Sequence, residues 1–104
     1  MPVQIVIGVK ATSIEPVTEA LKLATGLEAE LRDSLYVGEY DLFRLPEKLQ
    51  VKYNYVGFQG AWDYPDQKGF GVLVVADETE RPDYVRELVT ALGFESSVIE
   101  EFEW

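Results

Sequence analysis

Hydrophobic and polar positions along the chain repeat with two periods, two and about 3.6, and the switches between them mark out the elements. The longest apolar run, Gly69 to Asp77 (GFGVLVVAD), has no polar alternation. Neither face of a strand made from it can be left in water, and its β-branched residues favour strand over helix, so it is expected at the centre of the sheet. Val3, Ile5, Ile7 and Val9 alternate with Val6 and Gly8, the pattern of a second, mostly buried strand.

Helical spacing follows each of these strands. Thr12 and Ser13 can cap a first helix, Glu15 and Pro16 suit its first turn, and Val17, Ala20, Leu21 and Ala24 lie on one face until Gly26 and Leu27 stop it. The plan returns after Asp77. Thr79 is positioned as a cap, Pro82 and Asp83 as a first turn, Val85, Leu88, Val89 and Leu92 as the buried stripe, and Gly93 with Phe94 as the stop.

Between the helices the period returns to two. Leu27, Ala29 and Leu31 alternate with Glu28, Glu30 and Arg32, which predicts a short strand with one dry and one wet face toward a sheet edge, turned by Asp33 and Ser34. Leu35 to Leu45 and Leu49 to Phe58 read as an antiparallel hairpin closed by Leu45 to Lys48 (LPEK), with Pro46 at the second turn position. In its second strand Leu49, Val51, Tyr53 and Tyr55 share one face. Gln50, Lys52 and Asn54 share the other, which Val56 and Phe58 make apolar near its end. Gln59 to Lys68 is irregular and sets Trp62 and Tyr64 among Asp63, Pro65 and Asp66. The last strand, Val98 to Trp104, alternates Val98, Phe102 and Trp104 with Ile99, Glu101 and Glu103, and Glu100 intrudes on the first set.

Strand, Pro-started helix, Gly stop and strand thus occur twice. The expected fold is a single α+β domain spanning residues 1–104: a two-layer sandwich whose mixed or antiparallel sheet of about six strands carries two helices on one face. Ile5–Leu31 and Val72–Phe102 would be two βαβ units in a ferredoxin-like arrangement, with the Leu35–Phe58 hairpin inserted between them.

Composition narrows the chemistry. The chain has no Cys and no His, which removes disulfides, thiolate nucleophiles, and the residue most used as a general base and metal ligand near neutrality. GFG at Gly69 to Gly71 lacks the Lys-Ser/Thr of a phosphate loop and precedes a strand. Asp63 with Asp66, and Asp77 with Glu78, lack the spacing of a calcium loop. No catalytic residue, metal or cofactor is therefore expected. With no basic leader and no long apolar stretch the expected location is the cytoplasm.

Charge changes the picture most. Nine Lys and Arg face nineteen Asp and Glu, a net −10 at pH 7, which repels nucleic acid and anionic lipid and attracts basic surfaces. The excess is concentrated beyond Asp63, where only Lys68, Arg81 and Arg86 are basic. In a βαβ unit both strands end at one edge of the domain. That gathers Asp77, Glu78, Glu80, Asp83, Glu100, Glu101 and Glu103 around Trp104 as a rim and anchor for a basic protein. Trp62, Asp63, Tyr64 and Asp66 form a secondary partner-binding candidate, set against the simpler reading that these rings fold back over an open sheet face. The expected function is an acidic inhibitor of a basic protein: an immunity protein, an antitoxin, or a nucleic-acid mimic of the anti-CRISPR kind. The alternative is a ferredoxin-like small-molecule sensor acting as a homodimer.

Overall fold

The computed structural model describes residues 3–34, 38–45, 47–56 and 60–103. Strand β1 (Val3–Val9) leads into α1 (Ile14–Thr25), then β2 (Glu30–Ser34), β3 (Gly38–Arg44) and β4 (Lys48–Tyr53). A short pair, β5 (Tyr55–Val56) and β6 (Ala61–Trp62), and a single 3-10 turn at Pro65–Gln67 precede β7 (Val72–Thr79), α2 (Pro82–Thr90) and β8 (Ser96–Glu103). Six strands form one open sheet in the order β2-β3-β4-β7-β1-β8, and every ladder is antiparallel.

The apolar run after Gly71 lies where its lack of alternation requires, between β4 and β1. Its residues alternate between two packed layers. Val72, Val74 and Ala76 join Ile5, Ile7, Val9, Leu49 and Val51 beneath Ile14, Val17 and Leu21 of α1 and Val85 and Val89 of α2. Both helices therefore cover one face, and the architecture is α+β. The order β8-β1-β7-β4 under two helices is consistent with a ferredoxin-like core, to which the hairpin β2-β3 adds an edge. The strands flanking α1 do not pair, since β3, β4 and β7 lie between β1 and β2.

Several boundaries move, each for a local reason. The buried stripe of α1 is Ile14, Val17, Thr18 and Leu21, while Ala24, expected on that face, is exposed. Gly26 has φ 71° and donates its N–H to the Lys22 carbonyl, a left-handed stop that a side chain would strain. The following Leu27 N–H bonds the Thr25 hydroxyl, which itself donates to the Leu21 carbonyl. Strand β2 starts late, at Glu30, and includes Asp33 and Ser34, which pair with Glu39 and Gly38 instead of turning. Leu31, expected on the dry face, is 67% exposed, in keeping with the place of β2 at one edge of the sheet. The β3-β4 hairpin pairs Arg44 with Lys48, so Lys48 belongs to the strand; Pro46 lies outside the described residues.

Strand β4 ends at Tyr53, well short of the expected Phe58, which lies outside the described residues. Thr79 ends β7 and does not cap α2, whose first residue is Pro82. Helix α2 ends at Thr90, before the expected Gly93 stop at φ 88°. In β8 the pairing with β1 shifts between Val6 and Ile7: Glu100 faces Val6 while Val98 faces Ile7, which leaves Ile99 as an extra residue. This bulge is why Glu100 breaks the alternation.

Candidate protein-docking surface

Antiparallel pairing on both sides of β1 brings the ends of β7 and β8 together. Val3 faces Thr79 on one side and Glu103 on the other, and Ile5 faces Ala76 and Glu101. The expected acids therefore share one end of the domain, separated by a single strand. The pleat then divides them between the two sheet faces.

On the face away from the helices, Asp77 accepts a hydrogen bond from the Gln4 amide at 3.1 Å, and Glu100 accepts the Tyr64 hydroxyl at 2.6 Å. Burial, the Glu100 hydrogen bond and the nearby carboxylates all push the Tyr64 phenol well above its ordinary range. On the helix side, Arg86 of α2 bridges Asp83 and Glu101. Hydrogen bonding to Asp83, the nearby Glu101 charge and the Asp83 charge hold that guanidinium further in its charged form, against some desolvation. Asp83 and Glu101 thus share a single positive charge within the chain. Glu78, Glu80 and Glu103 are exposed and have no ion pair among the described residues. Trp104, the expected anchor, lies outside the described residues.

The secondary cluster belongs to a cover on the second sheet face. Gly8, Val6, Leu73 and Val75 lie on that face, and Tyr64 and Ile99 pack on the last three. A Cβ on Gly8 would come within 2.7 Å of both Phe70 and Ile99 side chains, so this glycine is required by close approach. Asp63 reaches Lys52 at 3.1 Å. Trp62 lies 5.3 Å from the Tyr55 ring, tilted by 57°, with the Lys68 ammonium 5.8 Å from its centre. Asp66 is exposed on the 3-10 turn. Of the secondary candidates Tyr64 folds back over the open face, as the simpler reading expects.

One residue that the sequence reading passed over holds this cover. Asn54 is fully buried. Its amide donates to the carbonyls of Phe70 at 2.9 Å, Gln67 at 3.1 Å and Tyr64 at 3.4 Å, and its side-chain oxygen accepts the Tyr64 N–H at 2.9 Å. Its backbone accepts the Asp63 N–H and donates to the Gly71 carbonyl. The available signal was an Asn interrupting a β-branched and aromatic strand, where a side chain able to bond nearby backbone ends the ladder.

A second unforeseen group is Glu47, whose side chain is 2% exposed. It accepts the Thr79 hydroxyl at 2.7 Å and both Nε and Nη2 of Arg81, at 3.1 and 2.8 Å. Arg81 in turn lies 4.0 Å from the Tyr84 ring centre. The Arg81 hydrogen bond holds the Glu47 carboxyl below the usual range, with Thr79 assisting and burial opposing.

Beside this latch, Glu47, Lys48, Asp77 and Glu78 line a hollow of about 350 Å³. A second hollow of about 380 Å³ runs between α1 and the β2-β3 edge, lined by Ile14, Leu31 and Tyr53 together with Glu15, Glu19 and Asp41. Thr18 donates to Asp41 there at 2.6 Å. Among the described residues no group of acids is arranged to hold a metal ion, and no helix is long and apolar enough to cross a membrane. No known family model matches the chain, and no curated protein matches it.

Proposed function

We propose that this chain is a small non-catalytic binding module that docks a basic protein and blocks it, as an immunity protein, antitoxin or nucleic-acid mimic would. The observation that carries the reading is where the bases go. Lys10, Lys22, Arg32, Arg44, Lys52, Arg81 and Arg86 all hold carboxylates of the same chain, and Lys68 lies over Trp62. Lys48, the exception, shares its hollow with Glu47, Asp77 and Glu78.

The positive charge is therefore spent internally, and the surplus of acids is left to face outward. Glu78, Glu80 and Glu103 concentrate that surplus where β7 and β8 end. A helix dipole accounts for an acid such as Asp83 in the first turn of α2, but it does not account for Glu103 at the end of a strand. Each exposed pair with a partner contributes little, while the summed field accelerates association and selects for basic surfaces.

The test replaces Glu78, Glu80 and Glu103 together by Lys, leaving Glu101 to hold Arg86. Circular dichroism checks the fold, and the variant is titrated against basic proteins encoded beside this chain, at low and moderate salt. Affinity should fall by tenfold or more, roughly 1.4 kcal/mol, and its salt dependence should flatten. Equal affinity with no salt dependence in the parent would reject the reading.

The hollow under α1 favours a second reading, a small-molecule regulator acting as a homodimer. Its size lies within the range of ligand clefts, roughly 300–1,000 Å³. A metabolite that both raises the melting temperature and drives dimer formation would support it.

A further inference from the structure

The ladders set one row of residues across the helix side of the sheet: Ile7 faces Val74, Val74 faces Val51, Val51 faces Asp41, and Asp41 faces Leu31. Patterning calls for an apolar residue throughout that row, and Asp41 breaks it. The buried stripe of α1, Ile14, Val17, Thr18 and Leu21, is broken in the same way at Thr18, which is only 6% exposed. The two breaks meet. The Thr18 hydroxyl donates to Asp41 at 2.6 Å, and both residues line the hollow of about 380 Å³ between α1 and the β2-β3 edge. An apolar pair of similar shape would hold these two positions at least as well, and departures from local patterning of this kind mark places where a site, and not the fold, selects the residue.

Thr18 is neutral, so it fixes the Asp41 carboxylate without cancelling its charge. Asp41 and Glu15 have no ion pair among the described residues. Lys22, a base on the wall of the hollow, is shared between Glu19 and Glu28 at 3.6 and 3.7 Å. The hollow therefore carries excess negative charge. The rest of its wall is apolar: Ile14, Ala29, Tyr53 and Leu31, the last largely exposed although it lies on the helix side of the sheet.

We propose that this hollow binds a small organic cation, a primary ammonium group on an apolar body, with Asp41 as its counter-ion. The ligand class rests on the reading of this hollow as a small-molecule site and deepens it, but needs neither dimer formation nor a basic protein partner. An ammonium group supplies the positive charge that faces Asp41, and partial burial strengthens the attraction. The apolar body lies against Ile14 and Tyr53 and covers Leu31. Glu15 and Glu19 draw cations toward the mouth and repel carboxylates and phosphates. A divalent metal ion is the poorer occupant: among the described residues the acids are not grouped as metal ligands, and a strongly hydrated ion gains nothing from apolar walls.

The test titrates 2-phenylethylamine and its neutral counterpart 2-phenylethanol into the intact chain, each up to about 10 mM, and follows the amide resonances by NMR. The amine should shift Thr18, Leu31 and Asp41 saturably and bind about tenfold or more tightly than the alcohol. Asp41→Asn, which keeps an acceptor for Thr18, should erase that preference. Equal binding of amine and alcohol in the hollow would overturn the cationic class and leave the small-molecule site standing. Amine shifts centred on Glu78 and Glu103 would overturn the proposal as bulk attraction to an acidic chain. No shift from either compound would also overturn it, and the metabolite-driven dimer test then decides the small-molecule reading separately. A second measurement needs no ligand: Thr18→Val combined with Asp41→Leu restores the apolar stripe and row, and should leave the melting temperature unchanged or raised while abolishing the amine shifts. A lowered melting temperature would assign the pair to folding and overturn its role in a site.

Discussion

The two faces of the sheet are covered by different means. Under the helices the cover is apolar and continuous: Ile5, Val9, Val17, Leu21, Phe43, Leu49, Val51, Val72, Val74 and Val85 are wholly removed from solvent. On the other face the cover is Ile99 together with residues 60–71, and the latter are held chiefly by polar bonds converging on Asn54. Burial of apolar area is non-directional and tolerates small shifts. A buried amide that serves four backbone groups tolerates none, since each orphaned group carries its own desolvation cost. The first cover is bound up with the fold itself, and the second is a separately fastened layer.

The sharpest way to break this comparison is a pair of substitutions. Val74→Asp buries a charge beneath both helices and should abolish cooperative folding, with a loss beyond the ~2–5 kcal/mol of a simple core truncation. Asn54→Ala should cost about 2–4 kcal/mol but leave the six-stranded sheet standing, with a changed Trp62 fluorescence and faster amide exchange confined to residues 60–71. If Asn54→Ala instead unfolds the whole chain in one step with Val74→Asp, the two covers are not separable.

Acid sharpens the comparison next, because the polar group on the helix side is charged and the one on the other face is not. The carboxyl of Glu47 is held below its usual range by Arg81 and Thr79. A carboxyl depressed in the folded state adds stability above its unfolded value, about 4.3, and loses it as pH falls through the folded value. Glu47→Gln should therefore lower stability near neutrality by about 1–2 kcal/mol, the half-exposed Arg81 limiting the effect, and should erase that share of the acid loss. Urea midpoints at about pH 7 and about pH 3 measure it. An equal acid loss in the variant would show that Glu47 is not its source. Asn54→Ala should leave the acid dependence unchanged.

The smallest effect is expected at the seam between the cover and the acidic edge. Tyr64→Phe removes the bond to Glu100 but keeps the ring on Val6, Leu73 and Val75, so about 0.5–1.5 kcal/mol should be lost. In the parent, one tyrosine should resist ionisation where exposed tyrosines titrate, near about pH 10. Its disappearance from the spectrophotometric titration of the variant would assign it; an unchanged titration would place the resistant group elsewhere.

These contrasts also explain what could be read in advance. Val72 to Ala76, Val3 to Val9 and the α2 stripe at Val85 and Val89 were legible because burial imposes a period. The acids of β7 and β8 were correctly brought to one end because antiparallel neighbours of β1 must finish there. Their division between faces was not legible, since one extra residue at Ile99 inverts which side each later residue takes, and a bulge leaves no period of its own. Arg86 and Arg81 were visible as charges, but their partners depend on distances across the fold. Asn54 was hidden for a related reason: a single side chain that gathers carbonyls from Tyr64, Gln67 and Phe70 has no repeat to betray it.

The cover closes at its own base, where the Asn54 N–H meets the Gly71 carbonyl at 3.0 Å directly beyond the Tyr53 and Val72 pair. The β4-β7 ladder is thus complete before the excursion begins, and the intervening residues start and finish side by side. Such a segment can be exchanged as a cassette without altering strand register. Any replacement of different length would have to shield Leu73 and Val75 as Tyr64 does.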